Sequence, residues 1–219
     1  MFTLLTTYFN PKTEDRLNEF KTCFEMNIAN NFIDKIIVFA ESDSNAIPGF
    51  LKHDKVNVVS FEGRPKYSDF FKYAADNLEH GKTIIVANTD IYFDETIALA
   101  SRVNFSNILA CVSRWNIDKD GSKNLQGCGD SHDVWIFKNP ISFPGSDIFL
   151  GISGCDTLLA IRASANGYTL INPSLSIIAN HLHFSVERNN NLSDGLNYWH
   201  APDYDCGVRL PFMALGETI

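Results

Sequence analysis

The feature that most limits the fold of this chain is a short, uninterrupted apolar run, Ile-Ile-Val-Ala, at residues 84–87. It lies between Gly81 and Asn88, and a run of this length with bounded ends is typical of a β-strand buried on both faces. Asn88, Thr89 and Asp90 follow it directly. They stand at the carboxyl end of the strand, where open α/β sheets place their ligand-binding crevices.

The rest of the first half alternates strands with helices. Strands are predicted from apolar, β-branched runs at 2–8, 36–40, 56–61 and 108–113, and helices from 3.6-residue periodicity near 13–30, 68–78 and 95–102. The first helix is expected to start near Thr13, and the second to be capped by Ser68. The less regular second half predicts strands at 134–137 and 168–171, a helix at 157–165 and a long loop over a sheet edge at 116–133. This alternation predicts a mostly parallel, doubly wound α/β sheet.

Composition favours a single domain that needs no covalent cross-links. The chain has 219 residues, of which 45% are hydrophobic and 20% charged, enough to bury a sizeable core. A net charge of -8 argues against a general nucleic-acid or anionic-membrane surface. The amino terminus lacks a basic leader, and no apolar run reaches a membrane-spanning length. Five cysteines without CxxC spacing predict neither a disulfide framework nor a zinc site, so we expect a cytoplasmic protein.

Asp90 is the first candidate functional residue. It lies between apolar Ala87 and the apolar run at 91–93, so its carboxylate has to be hydrogen-bonded, paired or bound to a cation. Mg²⁺ and Mn²⁺ commonly take one or two such carboxylates, together with water and substrate phosphates. The alternative is that Asp90 only caps the turn into the next helix.

Two further groups could join Asp90 in one site. His181 and His183 are alternate residues of an extended segment, so they point the same way, as metal ligands or as ordinary polar contacts. Asp156 follows Gly151 and Gly154 at the start of a predicted helix. The glycines allow close approach of a ligand, whereas an Asp at this position also stabilises a helix N-terminus without any catalytic role.

Cationic and aromatic residues supply candidate contacts for phosphates or a base. Arg64 and Lys66 stand beside Tyr67 in a loop after the third strand, where they either bind a nucleotide or remain solvated surface charges. Arg114 and Trp115 follow the strand predicted at 108–113. These groups add polar and aromatic surface near the predicted crevice.

Five ordered sequence blocks resemble one known family. They are NTDIYFD at 88–94, SRW at 113–115, SHDVWIF at 131–137, GISGCD at 151–156 and NPSLSIIANHLH at 172–183. Together they resemble GT-A-fold nucleotide-sugar glycosyltransferases, and most of all the small glycosyltransferase domains of bacteria and chlorella viruses. The resemblance covers most of residues 1–183, and five blocks in order are more specific than any one of them. It implies a Rossmann-like, mostly parallel sheet with flanking helices and a small antiparallel edge.

The resemblance also assigns roles to individual residues. A DxD-type motif in this family holds a divalent metal on the donor's diphosphate, which implies Asp90 as a direct ligand, with Asn88 in place of the first Asp. His183 or His181 would supply the later metal ligand. Asp156 would face the acceptor, and Asp133 or His132 would take over the acceptor chemistry if Asp156 only caps its helix. The residues implied in nucleotide binding are Thr6, Thr7, Tyr8, Arg64, Tyr67, Asn88, Thr89 and Asp90.

The implied activity is metal-dependent transfer of a sugar from a nucleotide-diphosphate sugar, with UDP as the expected nucleotide, to a glycan or other hydroxyl acceptor, such as a glycan on a glycoprotein. Mn²⁺ or Mg²⁺ is the implied cofactor. Residues 1–115 or so would bind the nucleotide and about 116–219 the acceptor. If Asp156 acts as a general base the anomeric configuration inverts, whereas a role in positioning or stabilising the sugar is compatible with retention. The residues alone leave both outcomes open.

Two other functional classes remain at this stage. A nucleotidyltransferase would also use a carboxylate-bound metal, but no glycine-rich, basic loop follows the first strand to grip a triphosphate. A carbohydrate-binding module without catalytic activity would stack exposed tryptophans such as Trp199 on sugar rings.

Overall fold

The computed structural model describes residues 1–41, 47–185, 198, 201–203 and 209–216, which form two β-sheets flanked by helices. Trp199 lies outside these described residues. The strands are β1 (Phe2–Tyr8), β2 (Ile33–Glu41), β3 (Val56–Phe61), β4 (Thr83–Ala87), β5 (Ile91–Phe93), β6 (Ile108–Val112), β7 (Arg114–Ile117), β8 (Lys123–Leu125), β9 (Val134–Lys138), β10 (Thr169–Ile171) and β11 (Ala179–His181). The α-helices are α1 (Glu14–Ala29), α2 (Tyr67–Asn77) and α3 (Cys155–Ala165), and 3₁₀ segments cover Gly49–Leu51 and Glu95–Arg102. Within the described ranges, no helix has both the length and the apolar character needed to cross a membrane.

The larger, central sheet has the strand order β10-β6-β9-β4-β1-β2-β3. Strands β3, β2, β1 and β4 are parallel to one another, and β10 is parallel to β6. Strand β9 runs antiparallel between β4 and β6. The predicted mixed α/β fold with a mostly parallel sheet is confirmed. Because β9 runs in the opposite direction, its start lies beside the end of β4, and the backbone N–H of Asn88 donates to the carbonyl of Asp133 at 3.1 Å.

A smaller sheet, with the order β5-β11-β7-β8, stands next to the carboxyl end of β4. Strand β11 pairs antiparallel with β5 and parallel with β7. The prediction of a loop over 116–133 is wrong in part, because the hairpin of β7 and β8 covers some of these residues. Their side chains are half-buried or exposed, so the hairpin has no apolar run that would mark it in the sequence.

Alternate residues of the central strands pack into opposite layers of core. Leu4 packs with Phe20 of α1 on one face, and Leu5 packs with Phe70 of α2 and Leu158 of α3 on the other. Full burial of each such side chain stabilises the fold by roughly 1.5–3 kcal/mol relative to exposure. Both faces are therefore fixed, and the strand ends form a rigid base for the loops that follow them.

The predicted helix starts are confirmed for α1 and corrected for α2. Thr13 caps α1, and its hydroxyl accepts the backbone N–H of Arg16 at 3.3 Å. Helix α2 begins one residue before Ser68, at Tyr67. Its cap residue is Lys66, whose backbone N–H donates to the carboxylate of Asp69 at 2.8 Å. That bond satisfies the backbone N–H of the cap residue, as the N3 carboxylate of a capping box does.

The helix predicted at 95–102 is a 3₁₀ helix. Its buried residues, Ile97 and Ala100, are three positions apart, which fits three residues per turn better than 3.6. Asp94 caps this segment by accepting the backbone N–H of Thr96 at 3.1 Å. The carboxylate that starts this helix is therefore Asp94, which removes the capping alternative for Asp90.

Candidate active site

The candidate site is a cleft of about 360 Å³ at the carboxyl ends of β1 and β4. This is the position at which open α/β sheets bind ligands. Most of the residues that the sequence singled out meet here. They are Thr7, Arg64, Tyr67, Asn88, Thr89, Asp90, His132, Asp133, Asp156, His181 and His183.

At one end of the cleft, Asp90 contacts both candidate histidines. Its Oδ2 lies 3.3 Å from Nε2 of His181 and 3.4 Å from Nδ1 of His183. The pairing of β11 with β5 sets His181 opposite Ile91, and the backbone N–H of Leu182 donates to the carbonyl of Asp90 at 3.0 Å. Two segments that are 90 residues apart in the chain are thus held together by backbone hydrogen bonds.

The Asp90 carboxyl is held in its ionised form. Burial opposes its ionisation, but His181, His183 and Arg16 outweigh that effect and keep the pKa of this carboxyl well below its usual range. The Nη2 of Arg16 donates to Oδ2 of Asp90 at 2.6 Å. A charged carboxylate with two imidazoles beside it is a ligand set for a divalent cation.

The spacing of the ligand atoms is compatible with a bound divalent cation at Asp90, His181 and His183. Their three ligand atoms all lie within 4.8 Å of one another, and both contacts to Asp90 Oδ2 are shorter than 3.5 Å. An ion about 2.1 Å from each ligand atom would separate neighbouring ligands by about 3.0 Å at right angles and about 3.4 Å in a tetrahedron. Two imidazole nitrogens with one carboxylate oxygen suit a divalent transition-metal ion better than Mg²⁺, which prefers oxygen ligands.

Arg16 of α1 lines this end of the cleft and pairs with Glu19 of the same helix, and the sequence singled out neither residue. Nη1 of Arg16 donates to Glu19 at 2.7 Å, and Glu19 Oε1 accepts the backbone N–H groups of Phe184 and Ser185 at 2.6 Å each. Glu19 therefore anchors the chain just after His183. Arg16 and Glu19 occupy buried positions of α1 on the same stripe as Phe20. Arg16 and Glu19 could have been identified from the sequence, because charged residues rarely stand at the buried positions of a helix.

At the centre of the cleft, Asp133 is fully engaged by its neighbours. Nη1 of Arg114 donates to both of its carboxylate oxygens at 3.0 Å, and the side-chain amide of Asn88 donates to Oδ1 at 2.8 Å. Burial lowers the pKa of Arg114, but Asp133 outweighs this and raises it. An Asp in place of Asn88 would bring a second carboxylate against Asp133. This explains why the first position of the motif at 88–90 is an amide in this chain.

Asp156 lies at the N-terminus of α3, and its Oδ2 accepts the backbone N–H of His132 at 2.9 Å. Gly154, which precedes the helix, has φ +82°, a left-handed conformation that favours glycine. Burial, helped by the nearby charge of Asp133, raises the pKa of Asp156 to about 6. The hydrogen bonds from the backbone N–H groups of His132 and of the helix N-terminus lower the pKa but do not outweigh burial.

His132 is a buried, neutral imidazole. Only 3% of its surface is exposed, and burial lowers its pKa to about 4. The backbone of Gly129 and the charges of Asp133 and Asp130 oppose this shift but do not outweigh burial. A base of this strength accepts protons poorly at neutral pH, so His132 suits a hydrogen bond to a ligand better than proton transfer.

The predicted nucleotide-binding residues divide into two groups. Thr7 and Thr89 face the cleft, and their hydroxyl oxygens are 2.8 Å apart. The side chains of Thr6 and Tyr8 are not among the residues that line the cleft, and their part in nucleotide binding stays a prediction. Tyr8 instead packs with Phe20 in the core on the α1 face, because successive side chains of a strand point to opposite faces.

The two cations of the loop before α2, Arg64 and Lys66, differ in their position relative to the cleft. Arg64 lines the cleft, whereas Lys66 pairs with Asp147 at 2.8 Å and lies over the ring of Phe149. Tyr67 is fully buried in the cleft wall, with its hydroxyl 3.7 Å from Sγ of Cys155. Of the two cations of this loop, Arg64 is the one that lines the cleft.

Comparison with known proteins shows that this chain shares its fold with solved structures of low sequence identity. No protein family model and no curated protein matches the sequence. Among solved structures, the chain is similar to mannosyltransferase PcManGT from Pyrobaculum calidifontis in complex with GDP-Man and Mn²⁺, with TM-score 0.56 and 12% identity, covering 82% of this chain and 56% of that chain. Weaker similarity extends to S. aureus TarS 1-349 (TM-score 0.46, 12% identity, covering 84% of this chain and 58% of that chain) and to 4-diphosphocytidyl-2C-methyl-D-erythritol synthase from Anaerococcus prevotii (TM-score 0.46, 10% identity, covering 88% and 92%). The chain therefore has a mixed α/β, Rossmann-like fold of the GT-A type, which spans a little over half of the length of the mannosyltransferase.

Proposed function

We propose that this protein is a metal-dependent glycosyltransferase that moves a sugar from a nucleotide-diphosphate sugar to a hydroxyl acceptor. One observation carries the proposal: a carboxylate and two imidazoles that fit a divalent cation share a cleft with a second carboxyl whose pKa is about 6. A cation held by the carboxylate and the two imidazoles would bind a diphosphate, and the second carboxyl would accept a proton from a hydroxyl. The mannosyltransferase of similar fold was solved in complex with GDP-Man and Mn²⁺, which supports a nucleotide sugar and a divalent ion as ligands of this cleft.

Donor binding is assigned to the end of the cleft around Asp90. In this proposal Asp90, His181 and His183 hold Mn²⁺, which when bound neutralises the negative charge that grows on the leaving diphosphate. Arg16 and Arg64 add fixed positive charge in the same cleft. Thr7 and Thr89, on rigid strand ends, offer hydroxyls to the nucleoside. We propose UDP as the nucleotide.

Acceptor activation is assigned to Asp156. At pH 7 to 8 a carboxyl with a pKa of about 6 is ionised, and it is more basic than an ordinary aspartate, so it can accept a proton from a sugar hydroxyl. The hydrogen bond from the His132 backbone fixes its orientation. In this role Asp156 leads to inversion at the anomeric carbon. Asp133 cannot easily replace it, because Arg114 and Asn88 already bind its carboxylate.

A panel of nucleotide sugars tests the proposal. The protein is incubated with each sugar, a mixed glycan acceptor and Mn²⁺ or EDTA, and release of nucleoside diphosphate is followed. We expect release from one class of donor, dependent on Mn²⁺ and increased by acceptor. A parallel incubation with nucleoside triphosphates and sugar phosphates detects pyrophosphate. Pyrophosphate release without any transfer from nucleotide sugars would replace the proposal with a nucleotidyltransferase, and inactivity in both arms would favour a binding module.

Matched variants connect that activity to the site. Asp90→Asn removes the charged ligand, whereas Asp94→Asn changes a nearby carboxylate that caps the 3₁₀ helix and lies outside the cleft. We expect Asp90→Asn to abolish the Mn²⁺-dependent activity and Asp94→Asn to retain most of it. Equal activities in the two variants would refute the assignment of Asp90.

A further inference from the structure

The guanidinium of Arg16 contacts the same oxygen of Asp90 that both histidines approach. Its Nη2 is 2.6 Å from Asp90 Oδ2, shorter than the distances from that oxygen to His181 and His183. A cation held by these three residues would share the oxygen with a fixed positive charge. Arg16 therefore opposes metal binding at the residues that are proposed to hold the metal.

Arg16 is held in place by more than its contact with Asp90. Its Nη1 donates to Glu19 at 2.7 Å, and its guanidinium lies 4.6 Å from the centre of the Phe20 ring. Glu19 is fixed in turn by the backbone N–H groups of Phe184 and Ser185. Only 9% of the Arg16 side chain is exposed. The positive charge is thus a permanent part of this end of the cleft.

The charges of the cluster show what would compensate for this opposition. Asp90 and Glu19 carry two negative charges and Arg16 one positive charge, so the cluster has a net charge of -1 when the histidines are neutral, as metal ligands are. A divalent ion alone would change this to +1 in a largely buried site, which is unfavourable. A diphosphate brings at least two negative charges and so removes the excess positive charge of the metal-bound cluster.

We propose that Arg16 makes binding of the metal conditional on the nucleoside diphosphate, and that its guanidinium binds a diphosphate oxygen when both are present. This inference rests on the proposed function, since it takes the nucleotide diphosphate as the ligand. Arg16 is then a donor-binding residue that links two affinities. By thermodynamic linkage, the factor by which the nucleotide tightens Mn²⁺ binding equals the factor by which Mn²⁺ tightens nucleotide binding.

The test measures this coupling directly. Free Mn²⁺ is titrated by electron paramagnetic resonance against the wild-type protein, with and without saturating UDP or GDP. We expect the nucleotide to tighten Mn²⁺ binding by a factor on the order of 30 or more. In Arg16→Gln, Mn²⁺ alone should bind on the order of tenfold more tightly than in the wild type, and the coupling factor should fall correspondingly.

Two further variants separate this effect from a loss of fold. Lys21→Gln removes one positive charge from an exposed position of the same helix and should leave the coupling unchanged. The double variant Arg16→Gln/Glu19→Gln removes both charges of the pair and keeps the cluster at a net charge of -1, so Mn²⁺ alone should bind less tightly to it than to Arg16→Gln. Equal Mn²⁺ affinities in the single and double variants would contradict the charge argument. Circular dichroism confirms that each variant is folded.

The outcomes for Arg16 and for the proposed function are distinguishable. If Arg16→Gln keeps the wild-type coupling, or if wild-type Mn²⁺ affinity is the same with and without nucleotide, the inference is refuted even where sugar transfer persists. If the wild type binds neither Mn²⁺ nor a nucleoside diphosphate under any condition, the proposed function and this inference fail together.

Discussion

Replacement of Asp156 by Asn should make the folded protein more stable while it slows the reaction. The carboxyl is held at the start of α3 by the backbone N–H of His132, and the amide oxygen of Asn can accept the same hydrogen bond. What the substitution removes is a charge that burial disfavours. Residues kept for catalysis at the expense of stability are expected at active sites, whereas a residue that only caps a helix should lower stability when it is removed.

The size of the effect follows from the pKa of Asp156. A carboxyl that titrates at about 6 in the folded protein and near 3.8 when unfolded destabilises the folded state by about 3 kcal/mol once both forms are ionised. Between about pH 4 and pH 6 the folded protein keeps a proton that the unfolded chain has released. This contribution to the free energy of unfolding therefore falls as the pH rises through that window, and it stays constant above it.

Urea unfolding of the wild type and Asp156→Asn at pH 4 and pH 8 measures this contribution. We expect nearly equal free energies of unfolding at pH 4 and a gain of about 3 kcal/mol for the variant at pH 8. Turnover should fall by a factor on the order of 100 or more, with donor affinity little changed. Asp147→Asn is the control, because Lys66 lowers the pKa of the exposed Asp147 and its replacement should not stabilise the protein.

A variant Asp156→Asn that is less stable than the wild type at pH 8, or that differs from it equally at both pH values, would refute the pKa argument. If such a variant also kept its rate, Asp156 would be a helix cap, and the acceptor chemistry would have to be reassigned.

Three other predictions concern the same cleft. Asn88→Asp brings a second carboxylate against Asp133, so thermal unfolding should occur at a lower temperature with no gain in Mn²⁺ affinity; a stable variant that binds Mn²⁺ more tightly would contradict the account of this position. Arg64→Ala should weaken a nucleoside diphosphate by about 1–3 kcal/mol in calorimetry, and unchanged affinity would make Arg64 a surface charge. The rate kcat should fall about tenfold per pH unit below about pH 6, as Asp156 becomes protonated, and a flat profile down to pH 5 would exclude it as the base.

The central part of the fold could be predicted because its signals are local. The apolar run at 84–87 marks β4, which the structure extends by only one residue, to Thr83. The polar residues after it are placed at the cleft by the direction of the strand alone. The hairpin of β7 and β8 could not be predicted in this way, because half-exposed strands held by backbone pairing have no apolar pattern.

The site could be predicted as a set of residues but not as a set of contacts. His181 and His183 were identified from their spacing, and their contact with Asp90 depends on the pairing of β11 with β5, which no local pattern encodes. The hydrogen bonds from Arg114 to Asp133 could not be predicted either, because no local pattern encodes a contact between two separate elements. The pKa of Asp156 could not be predicted from its place at a helix N-terminus, because burial, which depends on the whole fold, has the larger effect.

The central claim is that Asp90, His181 and His183 hold a divalent ion on the diphosphate of a nucleotide sugar. Anomalous diffraction from crystals soaked with Mn²⁺ and UDP or GDP tests it most directly. We expect one strong anomalous peak within bonding distance of Asp90 Oδ2, His181 Nε2 and His183 Nδ1, with the diphosphate beside it. Nucleotide density in the cleft with no peak at these three atoms, and with the ion pair between Arg16 and Asp90 unchanged, would contradict it.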